Sequence, residues 1–147
     1  MSRSLNKFNR TDNSTGTVLI RFLVGSVFLS EGIQKFLFAA AQGAGRFEKI
    51  GLPQPEILGP FVGITEIICG TLLLVGLITR LAVVPLIIII VTAIVTTKIP
   101  LLSEEGIWKM LHEGRTDWSM LLGGIFVFLN GAGKWSIDRL VRSGKYK

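Results

Sequence analysis

Four long apolar runs constrain this chain of 147 residues more than any other feature. The runs are continuous rather than alternating, and they cover approximately residues 17–38, 57–78, 81–97 and 118–133. An α-helix rises ~1.5 Å per residue, so ~20 residues cross the ~30 Å hydrocarbon core of a bilayer. The first two runs have that length, and the last two reach it with their flanking residues. We therefore predict an all-α integral membrane protein, built as a bundle of four transmembrane helices.

The same runs divide the chain into a membrane domain and two polar tails. Residues 1–16 form a polar tail, residues 17–137 the membrane domain and residues 138–147 a basic tail. We expect the first run to stay in the protein as a helix, because it is too long for a signal peptide and contains Glu31 and Lys35.

Short connections and prolines predict how the helices are joined. Thr79 and Arg80 alone separate the second and third runs, which makes their helices antiparallel neighbours. Pro60 and Pro85 are expected in first helical turns, where the missing N–H costs little. Pro100 is expected to close the third helix.

The segment between the third and fourth runs is polar except for one patch. Its apolar residues are Ile107, Trp108, Met110 and Leu111. This segment is either a short helix in the membrane interface or an ordinary loop with a few anchoring side chains, and the sequence favours neither.

Charge and composition narrow the possible partners. The chain has a net charge of +6 and is 49% apolar, and its basic residues sit at the ends of the apolar runs. Anionic lipid headgroups are therefore the expected counterions, and nucleic acid is not an expected partner. The single cysteine, Cys69, excludes a disulfide within one chain.

The distribution of Lys and Arg predicts the orientation in the membrane. With four spans, both termini and the Arg80 turn share one side, which carries ten basic residues against six on the other. The ten are Arg3, Lys7, Arg10, Arg21, Arg80, Lys134, Arg139, Arg142, Lys145 and Lys147. We therefore expect both termini in the cytoplasm. The basic C-tail is expected to lie on the membrane surface as an amphipathic segment.

Polar residues within the apolar runs are the candidates for function, because each is costly in lipid unless it is paired or lines a cavity. Arg21 and Lys35 share one face of the first helix, about 80° wide, with Glu31 at its edge. Glu66 lies near the centre of the second run, at a depth similar to that of Glu31. Two carboxylates and a lysine are thus expected to meet, and two acids cannot both ionise cheaply at low dielectric. Arg80 is a further candidate at the tight turn.

Glycines mark the faces that are expected to pack, because small residues let helices approach closely. They are Gly25, Gly32, Gly59, Gly63, Gly70 and Gly123.

A purely structural interpretation competes with the functional one. An intramembrane ion pair can simply lock two helices in register, and Lys35 can extend toward the headgroups. Cys69 is interpreted as a buried inert thiol. His112 has no partner at ligand spacing, so no metal site is expected.

Several motifs occur together in this sequence. The first run contains R-x3-G-x2-F-L-x2-G-x2-K-F from Arg21 to Phe36, and the tripeptide GLP follows at residues 51–53. The second run contains G-x2-E-x3-G from residue 63 and continues into LLLVGLITRLA at residues 72–82. GAGKWSID follows the fourth run at residues 131–138. Together these motifs resemble the DoxX family of small bacterial and archaeal membrane proteins.

The resemblance implies a link to membrane redox systems. The family is named after a subunit linked to thiosulfate:quinone oxidoreductase, and some relatives are associated with oxidative-stress defence. Arg21, Lys35, Glu66 and Arg80 are positions of the family pattern. No flavin, heme or iron–sulfur ligand set is evident, so the resemblance favours an accessory subunit over a stand-alone enzyme.

We therefore expect an accessory subunit in a bacterial or archaeal inner membrane, with an intramembrane pocket for a lipophilic molecule such as a quinone. Its expected partners are the bilayer, an oxidoreductase subunit and further copies of the chain. Two alternatives remain open: a protein that binds or transports an amine, a metal ion or a lipid, and a scaffold for a partner protein.

The predicted orientation can be tested with fusion reporters. A reporter after Lys147 should be active in the cytoplasm, and one inserted near Glu105 should be active outside, because the side rich in Lys and Arg stays inside. The reverse pattern of activities would refute the argument from charge.

Overall fold

A computed structural model describes residues 14–144, and the side chains of residues 14–141. Most of the predicted N-terminal tail and the last three residues of the C-tail lie outside this range. The helices are α1 (Thr15–Leu37), α2 (Ala44–Lys49), α3 (Pro55–Val75), α4 (Thr79–Ala93), a π-helical turn (Ile94–Lys98), α5 (Ile99–Glu105), α6 (Ile107–Glu113), α7 (Arg115–Asn130) and α8 (Ile137–Gly144). No strand occurs in the described range, which confirms the all-α prediction.

Three helical stretches have the length and hydropathy of membrane spans. They are α1, α3 and the stretch Thr79–Glu105, in which α4, the π-helical turn and α5 follow one another without a break. The fourth apolar helix, α7, has 16 residues. At ~1.5 Å per residue it is about 24 Å long, shorter than a ~30 Å hydrocarbon core. The structure thus has three helices of spanning length and a shorter fourth one.

The prolines lie elsewhere than their sequence context suggested. Pro60 and Pro85 lie inside α3 and α4, beyond the first turn, and Pro55 begins α3. Pro100 occupies the first turn of α5 and does not end the third helix. The π-helical turn Ile94–Lys98 directly precedes this turn, and the chain continues through Pro100 as a helix.

The segment that the sequence left open, between the third and fourth runs, is helical. It contains α5 and α6, separated by Gly106, whose φ of 84° is readily adopted by glycine. Ile107, Trp108 and Leu111 of α6 are exposed, and Trp108 is 82% exposed, whereas Met110 is half-buried.

Each of the four long helices packs against two others. The most extensive contact joins α1 and α3, and the others join α4 to α7, α3 to α4, and α1 to α7. The connection between α3 and α4 is residues 76–78 and not Thr79 and Arg80, which begin α4. Its shortness makes α3 and α4 antiparallel neighbours, as predicted. It turns through positive φ at Gly76 and Ile78, at 70° and 42°. Between the helices lies an apolar core that includes Val24, Leu73 and Leu86.

Backbone contact between α1 and α3 depends on glycine. A Cβ atom on Gly32 would lie 2.8 Å from the carbonyl oxygen of Gly63, and one on Gly70 would lie 2.8 Å from the backbone N of Leu29. At Gly25 the nearest atom, the Gly70 carbonyl oxygen, would be 3.1 Å away. The two helices therefore touch through their backbones between Gly25 and Gly32 of α1 and between Gly63 and Gly70 of α3.

The other glycines of the predicted packing set lie at different contacts. A Cβ atom on Gly59 would lie 2.8 Å from the backbone N of Ala44, so Gly59 lets α2 rest on α3. A Cβ atom on Gly123 would lie 2.7 Å from Cγ2 of Val24, so Gly123 lets α7 approach α1.

The outer surface of this helical assembly is apolar. Leu19, Phe61, Ile88 and Leu122 each expose 61–69% of their surface. Soluble proteins rarely expose large continuous apolar patches. Such a surface fits lipid acyl chains, and the protein is a membrane protein.

We expect Gly70→Ala to destabilise the protein by ~1–3 kcal/mol, because the new methyl group meets backbone atoms of α1 that cannot move independently. Thermal unfolding in detergent measures the effect. Thr71→Ala, an exposed position next to Gly70, is the matched control and should leave the unfolding temperature unchanged. Equal unfolding temperatures for Gly70→Ala and Thr71→Ala would contradict the close approach of α1 and α3.

Candidate functional site

A buried ion pair connects α1 to α3. The ammonium Nζ of Lys35 lies 2.6 Å from Oε2 of Glu66, and the two side chains are only 11% and 3% exposed. Apart from this ammonium, Oε2 of Glu66 has no hydrogen-bond partner in the described part of the chain. The pair joins residues 31 positions apart in sequence, within two helices that are otherwise mostly apolar.

The glycine contacts explain why the two charges meet. Lys35 lies three residues after Gly32, and Glu66 lies three residues after Gly63, so each charge is one turn beyond the point where the backbones touch. Side chains on a helix lean toward its N-terminus, and this direction takes Lys35 back along α1 toward Glu66.

Glu31 lies beside this pair without joining it. Its side chain is half-buried, and it forms no ion pair among the described residues, although Lys35 lies one turn further along the same helix. With both carboxylates ionised the group carries one net negative charge, and such a charge is costly at low dielectric.

Arg21 lies far from the pair and contacts backbone. It is 14 residues before Lys35 on α1, which is ~21 Å along the helix. Its guanidinium donates hydrogen bonds of 2.6 Å to the carbonyl oxygens of Ala132 and Trp135, and the residue is 1% exposed. Because the one planar guanidinium binds both carbonyl oxygens, it fixes the position of the segment that follows α7.

We call residues 131–138 the C-terminal collar, because this segment after α7 contacts both Arg21 of α1 and the α3–α4 turn. The Asp138 carboxylate accepts hydrogen bonds from the backbone N–H groups of Ile78 and Thr79, at 2.6 and 3.0 Å. The Asp138 N–H in turn donates to the carbonyl oxygen of Gly76. Asp138 therefore caps the start of α4 from 60 residues away, where the helix dipole favours a negative charge.

Arg80 also contacts backbone at this end of the molecule. Its guanidinium donates a 2.8 Å hydrogen bond to the carbonyl oxygen of Leu129, near the end of α7. Of the five ligand-binding candidates from the sequence, Glu31, Lys35 and Glu66 thus come together, whereas Arg21 and Arg80 lie apart from them around the collar.

Comparison with known proteins identifies the family. The sequence model of the DoxX family matches residues 16–99 of this chain. The chain belongs to the DoxX family. An uncharacterized membrane protein of Mycobacterium tuberculosis is 53% identical over 128 residues, which cover 83% of this chain and 78% of that protein. CatD of Bacillus subtilis, which is named as a candidate oxidoreductase, is 29% identical over 131 residues, which cover 88% and 90% of the two chains. No solved structure matches.

The part that matches DoxX contains α1, α3 and α4, and therefore both the Lys35–Glu66 pair and Arg21. Asp138, the residue that caps α4, lies outside it. In the sequence, Asp138 is the last residue of the motif GAGKWSID, and no role is predicted for it. The available signal was that α4 begins without a capping side chain of its own, so that an acidic residue elsewhere, such as Asp138, could cap it.

A second polar pair in this DoxX protein was also missed. Nζ of Lys98 lies 3.4 Å from Oδ2 of Asp117, which joins the π-helical turn to the start of α7. Both side chains are partly buried, at 15% and 22% exposed. In the sequence these two residues lie at the ends of the polar segment between the third and fourth runs.

The remaining candidate residues have simple environments. Cys69 is buried in the core cluster, and His112 is exposed in the short helix α6. No group of three or more potential metal ligands occurs in the described part of the chain.

We expect Glu66→Gln to destabilise the protein by ~3–5 kcal/mol, since it leaves the buried Lys35 ammonium without its carboxylate. Lys35→Met in the Glu66→Gln background should recover most of this loss, because no unpaired charge then remains. Thermal unfolding in detergent of the two single variants and the double variant measures the coupling between the residues.

Glu56→Gln provides the matched control for this cycle, because Glu56 lies on the same helix but is exposed. It should leave stability within ~0.5 kcal/mol of wild type. Additive effects of Glu66→Gln and Lys35→Met would show that the two charges do not interact.

Proposed function

We propose that this DoxX-family protein is an accessory membrane subunit of a redox system and holds a lipophilic molecule, such as a quinone, beside Lys35 and Glu66. The observation that carries the proposal is the ion pair at 2.6 Å between α1 and α3, with Glu31 one turn before Lys35 on α1. Ionisable groups within membrane spans are costly, so they are retained mainly where they act on a ligand, an ion or a proton.

The three side chains suit the chemistry of a quinone. A lysine ammonium donates hydrogen bonds to carbonyl oxygens, and a carboxylate passes protons to or from a bound molecule. Reduction of a quinone to a quinol takes up two electrons and two protons. In this proposal the partner oxidoreductase supplies the electrons, and Glu31 and Glu66 exchange the protons.

An accessory role fits the residues of the chain better than independent electron transfer does. The chain has one cysteine and one histidine. Iron–sulfur clusters use four such ligands, so a cluster in the complex would belong to another subunit. CatD is named as a candidate oxidoreductase, which supports a redox role for this chain.

The proposal includes a topology. The shorter α7 crosses as a fourth span with its flanking residues, which completes a four-helix bundle against α1 and α4. Both termini are then cytoplasmic, in a bacterial or archaeal inner membrane, and the Lys35–Glu66 pair lies toward the outer end of α1. An oxidoreductase subunit and further copies of the chain are the proposed protein partners.

We expect wild-type protein, purified in mild detergent and extracted with organic solvent, to release about one quinone per chain. The Glu66→Gln and Lys35→Met variants should lose most of it, because each removes one half of the polar anchor. Mass spectrometry of the extracts measures the quinone. The exposed variant Glu56→Gln is the matched control and should retain it.

Other results select other functions. A different bound molecule, lost in the same two variants, would indicate a binding or transport protein. Bulk lipid alone in every extract, together with full recovery of stability in the double variant, would show that the pair is a structural lock and would leave a scaffold as the function.

A further inference from the structure

A groove lies between the C-terminal collar and the end of α3. It has a volume of about 530 Å³ and is lined by Val75 on one side and by residues 134–140, except Asp138, on the other. Small-molecule sites in proteins have volumes of ~300–1,000 Å³, so this groove is large enough for a headgroup. It lies at the opposite end of α1 from the Lys35–Glu66 pair.

We infer that this groove binds the headgroup of an anionic phospholipid. Its lining combines two cations, Lys134 and Arg139, with the apolar side chains of Val75, Trp135 and Leu140, and it contains no acidic residue. A lipid phosphate matches the cations, and the adjoining glycerol and acyl groups match the apolar side chains.

The acid that stands beside Arg139 in the sequence does not line the groove. Asp138 lies in the same segment, but its two oxygens accept the backbone N–H groups of Ile78 and Thr79. The segment 134–140 thus uses its one acid, Asp138, to cap α4, while Lys134 and Arg139 line the groove.

The position of the groove favours a lipid over a soluble anion. The groove opens where α3 ends and α4 begins, at the ends of two membrane spans. Trp135 and Leu140 are each 70% exposed, and Val75 continues the groove into the apolar surface that faces acyl chains. Tryptophan together with lysine or arginine at the end of a span is typical of the headgroup region.

The groove is also held in shape without a ligand. The two hydrogen bonds from Arg21 fix the collar at Ala132 and Trp135, and Asp138 fixes it at the α3–α4 turn. A preformed site loses less conformational entropy on binding than a flexible tail would. These anchors lie outside the proposed contacts with the phosphate, so Lys134 and Arg139 can be changed without removing them.

The inference is independent of the proposed redox function, and titration of the full-length protein with lipid tests it. Protein in neutral detergent is titrated with phosphatidylglycerol and with phosphatidylcholine, and native mass spectrometry counts the bound lipids. We expect tight binding of phosphatidylglycerol alone. One basic residue near an anionic headgroup contributes about fivefold in affinity, so Lys134→Gln should weaken binding ~5-fold and Lys134→Gln/Arg139→Gln ~25-fold.

Matched charge changes at the other end of the molecule provide the control. Lys49→Gln/Lys109→Gln removes two charges from exposed lysines of α2 and α6 and should leave the affinity for phosphatidylglycerol unchanged. Circular dichroism of each variant without added lipid should match wild type, since Arg21 and Asp138 are retained.

Three results would overturn the inference. Equal binding of phosphatidylcholine would remove the role of charge, and an equal loss in the control variant would remove the role of the groove. Thermal stabilisation by inorganic phosphate equal to that by phosphatidylglycerol would show a site for a free anion instead of a lipid.

Discussion

The close approach of α1 and α3 is the constraint on which the rest of the structure depends. Gly32 meets the backbone at Gly63, and Gly70 meets the backbone at Leu29, so no side chain separates the two helices at these points. Between membrane helices there is little hydrophobic driving force, so such backbone packing is a main source of association. It also brings Lys35 and Glu66 into contact at 2.6 Å, one turn beyond a glycine contact in each helix.

Two groups of charged residues in the described chain, near opposite ends of α1, differ in their contacts. Toward one end, Lys35, Glu66 and Glu31 lie within a mostly apolar region, and Lys35 and Glu66 form an ion pair there. At the other end, Arg21, Arg80 and Asp138 contact backbone atoms. These contacts join the segment after α7 to the α3–α4 turn. Family membership alone does not separate these roles, because Arg21 and Glu66 both lie within the part that matches DoxX.

The C-terminal collar shows how one segment can serve both folding and surface chemistry. Its backbone carbonyls at Ala132 and Trp135 are held by the buried Arg21, while the side chains of Lys134 and Trp135 are exposed. A segment that is fixed by its backbone leaves its side chains available for contact with the bilayer.

The sequence by itself determined the class of the protein and which residues carry charge within its spans. Apolar runs of about 20 residues and intramembrane charges such as Glu66 are local features, and the physics of burial in lipid acts on them one segment at a time. Only the tertiary structure decided which groups these charged side chains contact. Lys35 pairs with Glu66 rather than with Glu31 on its own helix, Arg21 holds carbonyl oxygens instead of a carboxylate, and the chain continues as a helix through Pro100. These outcomes depend on distances between segments far apart in the chain, or on how a helix end is completed. The periodicity of a single run contains no such information.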